Sequence, residues 1–253
     1  MTAAPLLQAR AVSVSYQTRR GSIDALREVD LAVGEGEFVT ILGPSGCGKS
    51  TLLKLAAGLL TPTLGQVEVG GVPVEGPSRD IGVAFQKPTL LPWRTVLDNV
   101  LLPSETAGER GADAERRGRE LLDLVGLRDF AGNYPNELSG GMQQRVGLAR
   151  MLQRDPRLLL MDEPFAALDA MTREALTLEL QRIWMRDRKS VLFITHSIPE
   201  AVMLSDRVLV MSARPGRVVE DFKVDIPRPR TMATLAEPAF TAAGDHLRRH
   251  FIG

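Results

Sequence analysis

A glycine-rich segment, residues 43–51 with the sequence Gly-Pro-Ser-Gly-Cys-Gly-Lys-Ser-Thr, has the residue types and spacing of a phosphate-binding loop. Its glycines let backbone N–H groups curl around an anion without Cβ clashes. Lys49 supplies a positive charge for the outer phosphates of a nucleotide, and the hydroxyl of Ser50 can bind Mg²⁺. An apolar run over 38–42 leads into the loop and a helical pattern leaves it. This is the strand–loop–helix context that such chemistry requires.

Three other apolar runs end in polar residues. They predict strands over 81–85, 157–163 and 191–195. The second ends in Asp162 and Glu163, and the other two are followed by Gln86 and His196. Because ligands of open α/β sheets bind at the carboxyl ends of the strands, we expect these side chains to serve the same site. Asp162 is then a Mg²⁺ ligand, and Glu163 is placed to polarise an attacking water. The alternatives are solvated turn carboxylates and a structural histidine.

A second helix start carries Ser139 followed by Gly140 and Gly141. Serine is a good N-cap, and glycines allow a backbone to approach closely. The pattern fits a capped helix start, and it also fits a second helix N-terminus that binds phosphate.

Three other features each have two interpretations. The ring of Tyr16 stacks on a base or closes a hydrophobic edge. The loop at 87–94 packs inward or anchors a partner, because tryptophan and arginine are enriched in interface hot spots. Cys47 lies beside a helix N-terminus, where it is a thiol of lowered pKa or simply a small residue in a tight loop.

Composition excludes several classes of protein. The 253 residues are 44% hydrophobic and 25% charged, with zero formal net charge, so no global basic field argues for nucleic acid. A single cysteine, Cys47, cannot form an internal disulfide and favours a reducing compartment. The first five residues do not resemble a signal peptide, and no apolar run approaches the roughly 20 residues that cross a bilayer.

The periodicity of the remaining segments predicts an α/β fold. An antiparallel sheet precedes the phosphate loop, with strands over 6–15 and within 23–33. Helices follow over 95–102, 113–125, 139–154 and 172–187, and a shift from strand-like to helical composition predicts an inserted helical subdomain over 88–155. The segment 230–253 is predicted to be a short helical tail.

With these pieces in order, the chain resembles the ATP-binding subunit of an ABC transporter. The matching segments are 43–51 (Walker A), Gln86 (Q-loop), 138–142 (signature), 158–163 (Walker B), 167–169 (D-loop), His196 (switch histidine) and Tyr16 (adenine-stacking aromatic). The resemblance implies a P-loop NTPase with a RecA-like core, an antiparallel β subdomain and an inserted α-helical subdomain. It further implies one ATP-binding domain over 1–253.

The resemblance also implies ATP and Mg²⁺ as cofactors. The residues implied for ATP are Tyr16, Gly43, Pro44, Ser45, Gly46, Cys47, Gly48, Lys49, Ser50 and Thr51, with Ser139, Gly140, Gly141 and Asp169 contributed by a second subunit of a head-to-tail dimer. Those implied for Mg²⁺ are Ser50, Gln86 and Asp162. Catalysis would use Glu163, His196 and Gln86.

Partners follow from the same resemblance. The loop after Gln86 would contact a transmembrane permease subunit through Leu90, Leu91, Trp93 and Arg94. Segments 85–93 and 211–216 resemble importers of nitrate, sulfonates, taurine and pyrimidine precursors, which receive their solute from a binding protein. The expected place is the cytoplasmic face of the membrane. The alternatives are the ATPase subunit of an exporter and a soluble ATPase of DNA repair or translation, although neither a tandem domain nor a basic surface supports the latter.

Overall fold

The structure, a computed structural model, describes residues 4–18 and 21–251, without the side chain of Thr18. The remaining residues of the predicted domain, 1–3, 19–20 and 252–253, lie outside the described residues. The chain divides into two compact units. The first unit comprises the segments up to residue 78 and from 187 onward, and the second unit comprises 79–186. The assignment of one ATP-binding domain with a helical insert over 88–155 stays a prediction.

The first unit consists mainly of strands. They are β1 (Leu7–Thr18), β2 (Gly21–Val33), β3 (Phe38–Leu42), β4 (Leu64–Val69), β5 (Val72–Pro73), β8 (Ser190–Thr195), β9 (Arg207–Met211) and β10 (Val218–Lys223). Its helices are α1 (Lys49–Ala56), α6 (Ile198–Leu204) and α7 (Pro238–Arg248). Strands β6 (Ile81–Ala84) and β7 (Leu158–Asp162) belong to the second unit, with helices α2 (Val96–Thr106), α3 (Ala112–Leu124), α4 (Gly140–Leu152) and α5 (Ala170–Asp187).

Strand β3 lies at the centre of the first unit, and all five of its residues are buried. It pairs in parallel with β8 on one side and with β9 on the other, and β10 pairs antiparallel with β9. Because both faces of such strands are covered, they read as continuous apolar runs rather than as alternating ones. Leu42 pairs with both Thr195 and Val210. The loops that follow β3, β8 and β9 therefore leave the same edge of the sheet.

A second sheet of the first unit has the strand order β2-β1-β4-β5, with every pair antiparallel. This is the antiparallel part that the sequence predicts. Strand β1 is irregular, and its register against β2 shifts between Ala9 and Val12. Ala11 has a φ of 48° at this bulge, and its backbone N–H donates to Asp30 Oδ1 at 2.8 Å. The aspartate thus provides the partner that the ladder does not.

The second unit combines a parallel strand pair with packed helices. β6 and β7 pair from Ile81 opposite Leu158 to Ala84 opposite Met161. Helix α4 is joined to its neighbours by the buried Gln153, whose Nε2 donates to the carbonyl oxygen of Ala114 in α3 at 2.9 Å. The same nitrogen donates to Ser104 Oγ in α2 at 3.3 Å, so the end of α4 is linked to both neighbouring helices.

Two elements differ from the sequence prediction. Helix α2 was expected to end at 102 but continues to Thr106 with Pro103 inside it. Its buried face, which includes Val96 and Val100, packs into the unit and outweighs the hydrogen bond that the proline removes. Helix α6 was not predicted. Its start signal was present, since Ser197 caps it and a proline lies in the first turn.

Arg230 joins the segment after β10 to helix α6. Its side chain is 1% exposed, and the guanidinium donates to the carbonyl oxygens of Val202 (2.6 Å), Ser205 (2.8 Å) and Ile226 (2.8 Å). Burial and the charge of Arg228 lower the pKa of Arg230 to about 10, so the side chain stays charged at neutral pH. The planar fork of arginine carries donors on three nitrogens and so reaches carbonyls on different segments, whereas lysine donates from a single nitrogen.

We predict that Arg230→Lys lowers the free energy of unfolding by about 3 kcal/mol, because buried carbonyls lose their donors. The measurement is urea denaturation. Arg217→Lys is the matched control, since the side chain of Arg217 is half exposed and lies 3.8 Å from Glu28 in a long ion pair. We expect this control to change the free energy of unfolding by less than about 0.5 kcal/mol. Equal effects of the two variants would contradict the structural role of Arg230.

Candidate active site

The lysine at the end of the phosphate loop forms hydrogen bonds with the backbone of that loop. Gly46 and Gly48 have φ values of 76° and 107°, which a side chain would strain. Lys49, the first residue of α1, is 4% exposed, and its Nζ donates to the carbonyl oxygens of Gly43 (2.8 Å) and Pro44 (3.0 Å). The ammonium group is therefore held inside the curve of the loop.

The loop fits a nucleotide phosphate in charge and in shape. Helix α1 has no acidic residue in its first turn and no side-chain cap, so its backbone donors suit an anion. The hydroxyl of Ser50 lies in the same turn, and that residue is exposed. A hydroxyl oxygen there is a hard ligand of the kind that Mg²⁺ prefers.

His196 leaves the sheet next to the phosphate loop, because Thr195 is the residue paired with Leu42. The residue is exposed, and its neighbours hold its backbone in place. Thr195 Oγ1 donates to the buried Glu200 Oε2 at 2.6 Å and accepts from the N–H of Ser197 at 3.0 Å. The sequence prediction named His196 but not this threonine–glutamate pair.

The loop after β9 also contacts the phosphate loop. Arg214 donates through Nε and Nη2 to the carbonyl oxygen of Gly46, at 3.2 and 3.0 Å. A Cβ on Gly216 would lie 2.0 Å from the carbonyl oxygen of Cys47, so only glycine fits there. Sequence reasoning used segment 211–216 only as a family resemblance, and missed that its residues position the phosphate loop.

Cys47 is a packed residue of this loop. Its side chain is 1% exposed, and a Cβ on Gly43 would lie 3.0 Å from its Sγ. Burial raises the pKa of the thiol, although the positive charge of Lys49 opposes that shift. The interpretation of Cys47 as a thiol of lowered pKa is wrong, and the structure favours the small-residue interpretation.

Tyr16 lies near the end of β1 and is 42% exposed. Its partner across the ladder, Ile23, is exposed to the same extent. A ring in this environment does not seal a core, which weighs against the hydrophobic-edge interpretation. An exposed aromatic face is available for stacking on a base.

In the second unit, Gln86, Asp162 and Glu163 lie at one edge of the β6–β7 pair, because Ala84 is paired with Met161. Asp162 and Glu163 are half-buried and Gln86 is exposed. Glu163 has a φ of 45°, a conformation that costs a non-glycine residue free energy and occurs often at active sites. Two carboxylates and an amide oxygen form a donor set that suits Mg²⁺.

The signature residues begin helix α4. Ser139 caps the helix by accepting from the N–H of Met142 at 3.3 Å, and Gly140 is exposed. A Cβ on Gly141 would lie 2.7 Å from Thr172 Cγ2 in α5. The absence of a side chain therefore lets the N-terminal turns of α4 and α5 approach each other.

Asp169 lies directly before helix α5 and is exposed. Its Oδ1 accepts from the N–H of Thr172 at 3.0 Å, and this hydrogen bond lowers the pKa of Asp169. The carboxylate thus caps α5, and it lies beside the same helix turn that Gly141 approaches.

Helix α4 also holds the segment after Gln86. Gln144 Nε2 donates to the carbonyl oxygen of Gln86 at 2.9 Å, and Arg150 donates to those of Pro88 and Thr89. A Cβ on Gly147 would lie 3.2 Å from Pro88 Cβ. Signature helix and Q-loop segment are therefore packed as one piece within the second unit.

The predicted interface residues differ in exposure. Trp93 is 72% exposed, whereas Leu90, Leu91 and Arg94 are half-buried. The guanidinium of Arg94 forms an ion pair with Glu105 in α2. Arg94 thus has a structural partner, and Trp93 is the exposed member of the group.

Asn99, which the sequence analysis did not single out, fixes the path of this loop. It is fully buried. Its Oδ1 accepts from the N–H of Leu91 at 2.7 Å, and its Nδ2 donates to the carbonyl oxygens of Leu91, Arg94 and Thr95. The loop keeps a defined shape although it has no regular secondary structure.

The structure thus places the predicted residues in two groups. Tyr16, residues 43–51 and His196 belong to the first unit, and the other predicted site residues belong to the second. Within the first unit, the strand register brings the phosphate loop, His196 and Arg214 to one sheet edge. Within the second unit, it brings Gln86 to Asp162 and Glu163.

The family model described as "ABC transporter" matches residues 26–166, more than half of the chain. The chain belongs to the ABC transporter family. Among curated ABC relatives, it is 50% identical over 220 residues to the uncharacterized ABC transporter ATP-binding protein MJ0412 of Methanocaldococcus jannaschii, covering 87% of this chain and 82% of that protein. It is 51% identical over 223 residues to the taurine import ATP-binding protein TauB of Burkholderia pseudomallei, covering 88% and 85%.

Solved ABC structures agree with the family match. The dimeric post-hydrolysis state of the ATP-binding cassette MJ0796 bound to ADP and Pi superimposes with a TM-score of 0.77 at 36% identity, covering 87% of this chain and all of that one. The predicted fold class and the predicted ABC transport ATPase are confirmed. Within the described residues, no helix of this ABC protein is long and apolar enough to span a bilayer.

We predict that Arg214→Ala raises the KM for ATP about five-fold with little change in kcat, because the phosphate loop loses a two-pronged hydrogen bond of about 1 kcal/mol. The measurement is steady-state phosphate release over a range of ATP concentrations. Arg217→Ala removes a guanidinium from the same segment without a hydrogen bond to the loop, and should leave KM unchanged. A normal KM in Arg214→Ala would refute the positioning role.

Proposed function

We propose that this ABC ATPase drives import of a small solute of the taurine and sulfonate class through separate membrane subunits. The observation that carries the proposal is the 51% identity to proteins named for taurine import, from Burkholderia pseudomallei and Rhizobium johnstonii. The identity covers 88% of this chain. A solute-binding protein would deliver the solute, and the ATPase would lie peripherally on the cytoplasmic face.

The residues proposed for Mg²⁺ are Ser50, Gln86 and Asp162, which offer hydroxyl, amide and carboxylate oxygens. Oxygen ligands of mixed charge suit this ion, and the ion neutralises phosphate charge when it is bound with ATP. Lys49 and the backbone donors of the phosphate loop bind the phosphate oxygens. Tyr16 offers its exposed ring to the base.

Glu163 is the proposed general base. Its carboxylate accepts a proton from the attacking water and orients that water in line with the terminal phosphate. The positive φ of Glu163 supports this role, since the backbone is held in an unfavourable conformation where the side chain must point in one direction. His196 would contact the terminal phosphate from its fixed place beside the loop.

We also propose that two copies of the chain act as a head-to-tail dimer. Ser139, Gly140, Gly141 and Asp169 would then serve the nucleotide held by the second copy. Ser139 and Gly140 are exposed at the start of α4, and the N-terminus of a helix favours a phosphate group. The dimeric MJ0796 structures support the stoichiometry. Closing such a dimer would exclude water and complete the site.

We predict that Glu163→Gln lowers the ATPase rate by at least about 10²-fold while ATP binding persists, because the amide cannot accept the proton. The measurements are phosphate release and equilibrium binding of a fluorescent ATP analogue. Glu174→Gln, at an exposed position of α5, is the matched control and should retain full activity. A much smaller loss in Glu163→Gln would exclude the general-base assignment.

We predict that Trp93→Ala reduces ATP-driven taurine uptake by proteoliposomes at least about ten-fold, since exposed tryptophans commonly anchor interfaces. The proteoliposomes contain the chain with its co-purified permease subunits and binding protein. The ATPase rate of the isolated chain should be unchanged. Phe130→Ala, at another exposed ring of the second unit, is the control. Loss of the isolated ATPase activity would instead indicate a core role for Trp93, and uptake failing with the unsubstituted chain would reject taurine as the solute.

A further inference from the structure

Two of the three histidines of the chain, His246 and His250, lie outside the candidate active site and four residues apart. His246 is in α7, and His250 follows the end of that helix by less than one turn. Residues four apart on a helix lie on the same face. The sequence thus places two imidazole rings side by side near the C-terminus of the first unit.

Strand β10 brings a carboxylate to these rings. Its residues alternate between half-buried and exposed, which places Glu220 and Phe222 on the same face. His246 Nε2 lies 2.7 Å from Glu220 Oε1, and His250 Nε2 forms an ion pair with Glu220 Oε2. The three candidate ligand atoms all lie within 4.8 Å of one another.

The surroundings orient this cluster. The ring of His246 stacks on Phe222 with centroids 4.8 Å apart and an interplanar angle of 23°. Both oxygens of Glu220 thus face imidazole nitrogens, and Oε2 is buried. A buried carboxylate is costly unless a donor or a cation satisfies it, and a metal ion held between the carboxylate and the two rings would supply the cation.

We propose that Glu220, His246 and His250 form a Zn²⁺ site in which two imidazole nitrogens and one carboxylate oxygen bind the ion and water fills the fourth position. Nitrogen ligands select zinc and related transition metals over Mg²⁺ and Ca²⁺. Tetrahedral zinc with bonds of about 2.1 Å needs ligand atoms about 3.4 Å apart. The ligand atoms, now within 4.8 Å of one another, must therefore come closer together. Because His250 is exposed, its ring can rotate to shorten these distances.

One neighbour opposes metal binding. Arg249 places a guanidinium nitrogen 2.8 Å from His246 Nδ1. Because arginine only donates hydrogen bonds, Nδ1 accepts and the proton of the neutral ring lies on Nε2. Binding Zn²⁺ through Nε2 requires that proton to move to Nδ1 or to solvent. Arg249 is exposed, so the guanidinium can withdraw into water when the metal binds.

Isothermal titration of the nucleotide-free full chain with ZnCl₂ tests the proposal. We expect one Zn²⁺ per chain, and Kd raised at least about ten-fold in each of His246→Ala, His250→Ala and Glu220→Gln, since each removes a ligand. His196→Ala is the matched control and should bind zinc as the unsubstituted chain does. Absence of binding, or unchanged binding by the His246→Ala/His250→Ala double variant, would overturn the proposal.

Arg249→Ala gives an independent readout, because all three ligands stay in place. Removing the donor to Nδ1 frees Nε2 for the metal, so Kd for Zn²⁺ should fall several-fold. Co²⁺ added to the same variants should produce the intense visible absorption of a four-coordinate ion only where both histidines and Glu220 are present. A Kd that does not fall in Arg249→Ala would contradict coordination through His246 Nε2.

Discussion

The parallel pairing of β3 with β8 and β9 is the constraint on which the phosphate-loop edge of the first unit depends. Leu42 lies opposite both Thr195 and Val210, so three loops start at the same level. A slip of one residue would displace one loop start by about 3.3 Å and turn every side chain of that strand to the other face. Because β3 and β8 are wholly buried, such a slip would bring no compensating gain. The core thereby sets the relative placement of lysine, histidine and arginine.

In each unit, irregular segments are held by side chains that donate to backbone carbonyl oxygens. Lys49 and Arg214 do this for the phosphate loop, and Asn99 and Arg150 do it for the segment after β6. A loop has no ladder partner, so its polar backbone groups need side chains or water. Such loops are stiff enough to orient ligands although they contain no regular structure. Their stability comes from a few long-range contacts rather than from local propensity.

This difference between strands and loops explains which features could be predicted from the sequence. Strands ending in Gln86, Asp162 and His196 were predictable because burial on both faces leaves an uninterrupted apolar run. Asn99 and Arg214 were not, since their partners are backbone atoms whose positions follow only from the fold. The continuation of α2 past residue 102 was not predictable, because the packing that offsets the local cost of Pro103 depends on the fold. The pairing of Glu220 with His246 was not predictable either, because the two residues are 26 positions apart in the sequence and meet only in the fold.

The attachment of the Q-loop segment to α4 has a consequence for the diversity of the family. The donors on α4 bind carbonyl oxygens of residues 86, 88 and 89, and a carbonyl oxygen is the same whatever side chain follows it. The path of the segment is therefore insensitive to the identity of its outward side chains. Residues such as Trp93 can therefore diverge while the polypeptide that carries them keeps its course. One backbone path can in this way present many different surfaces.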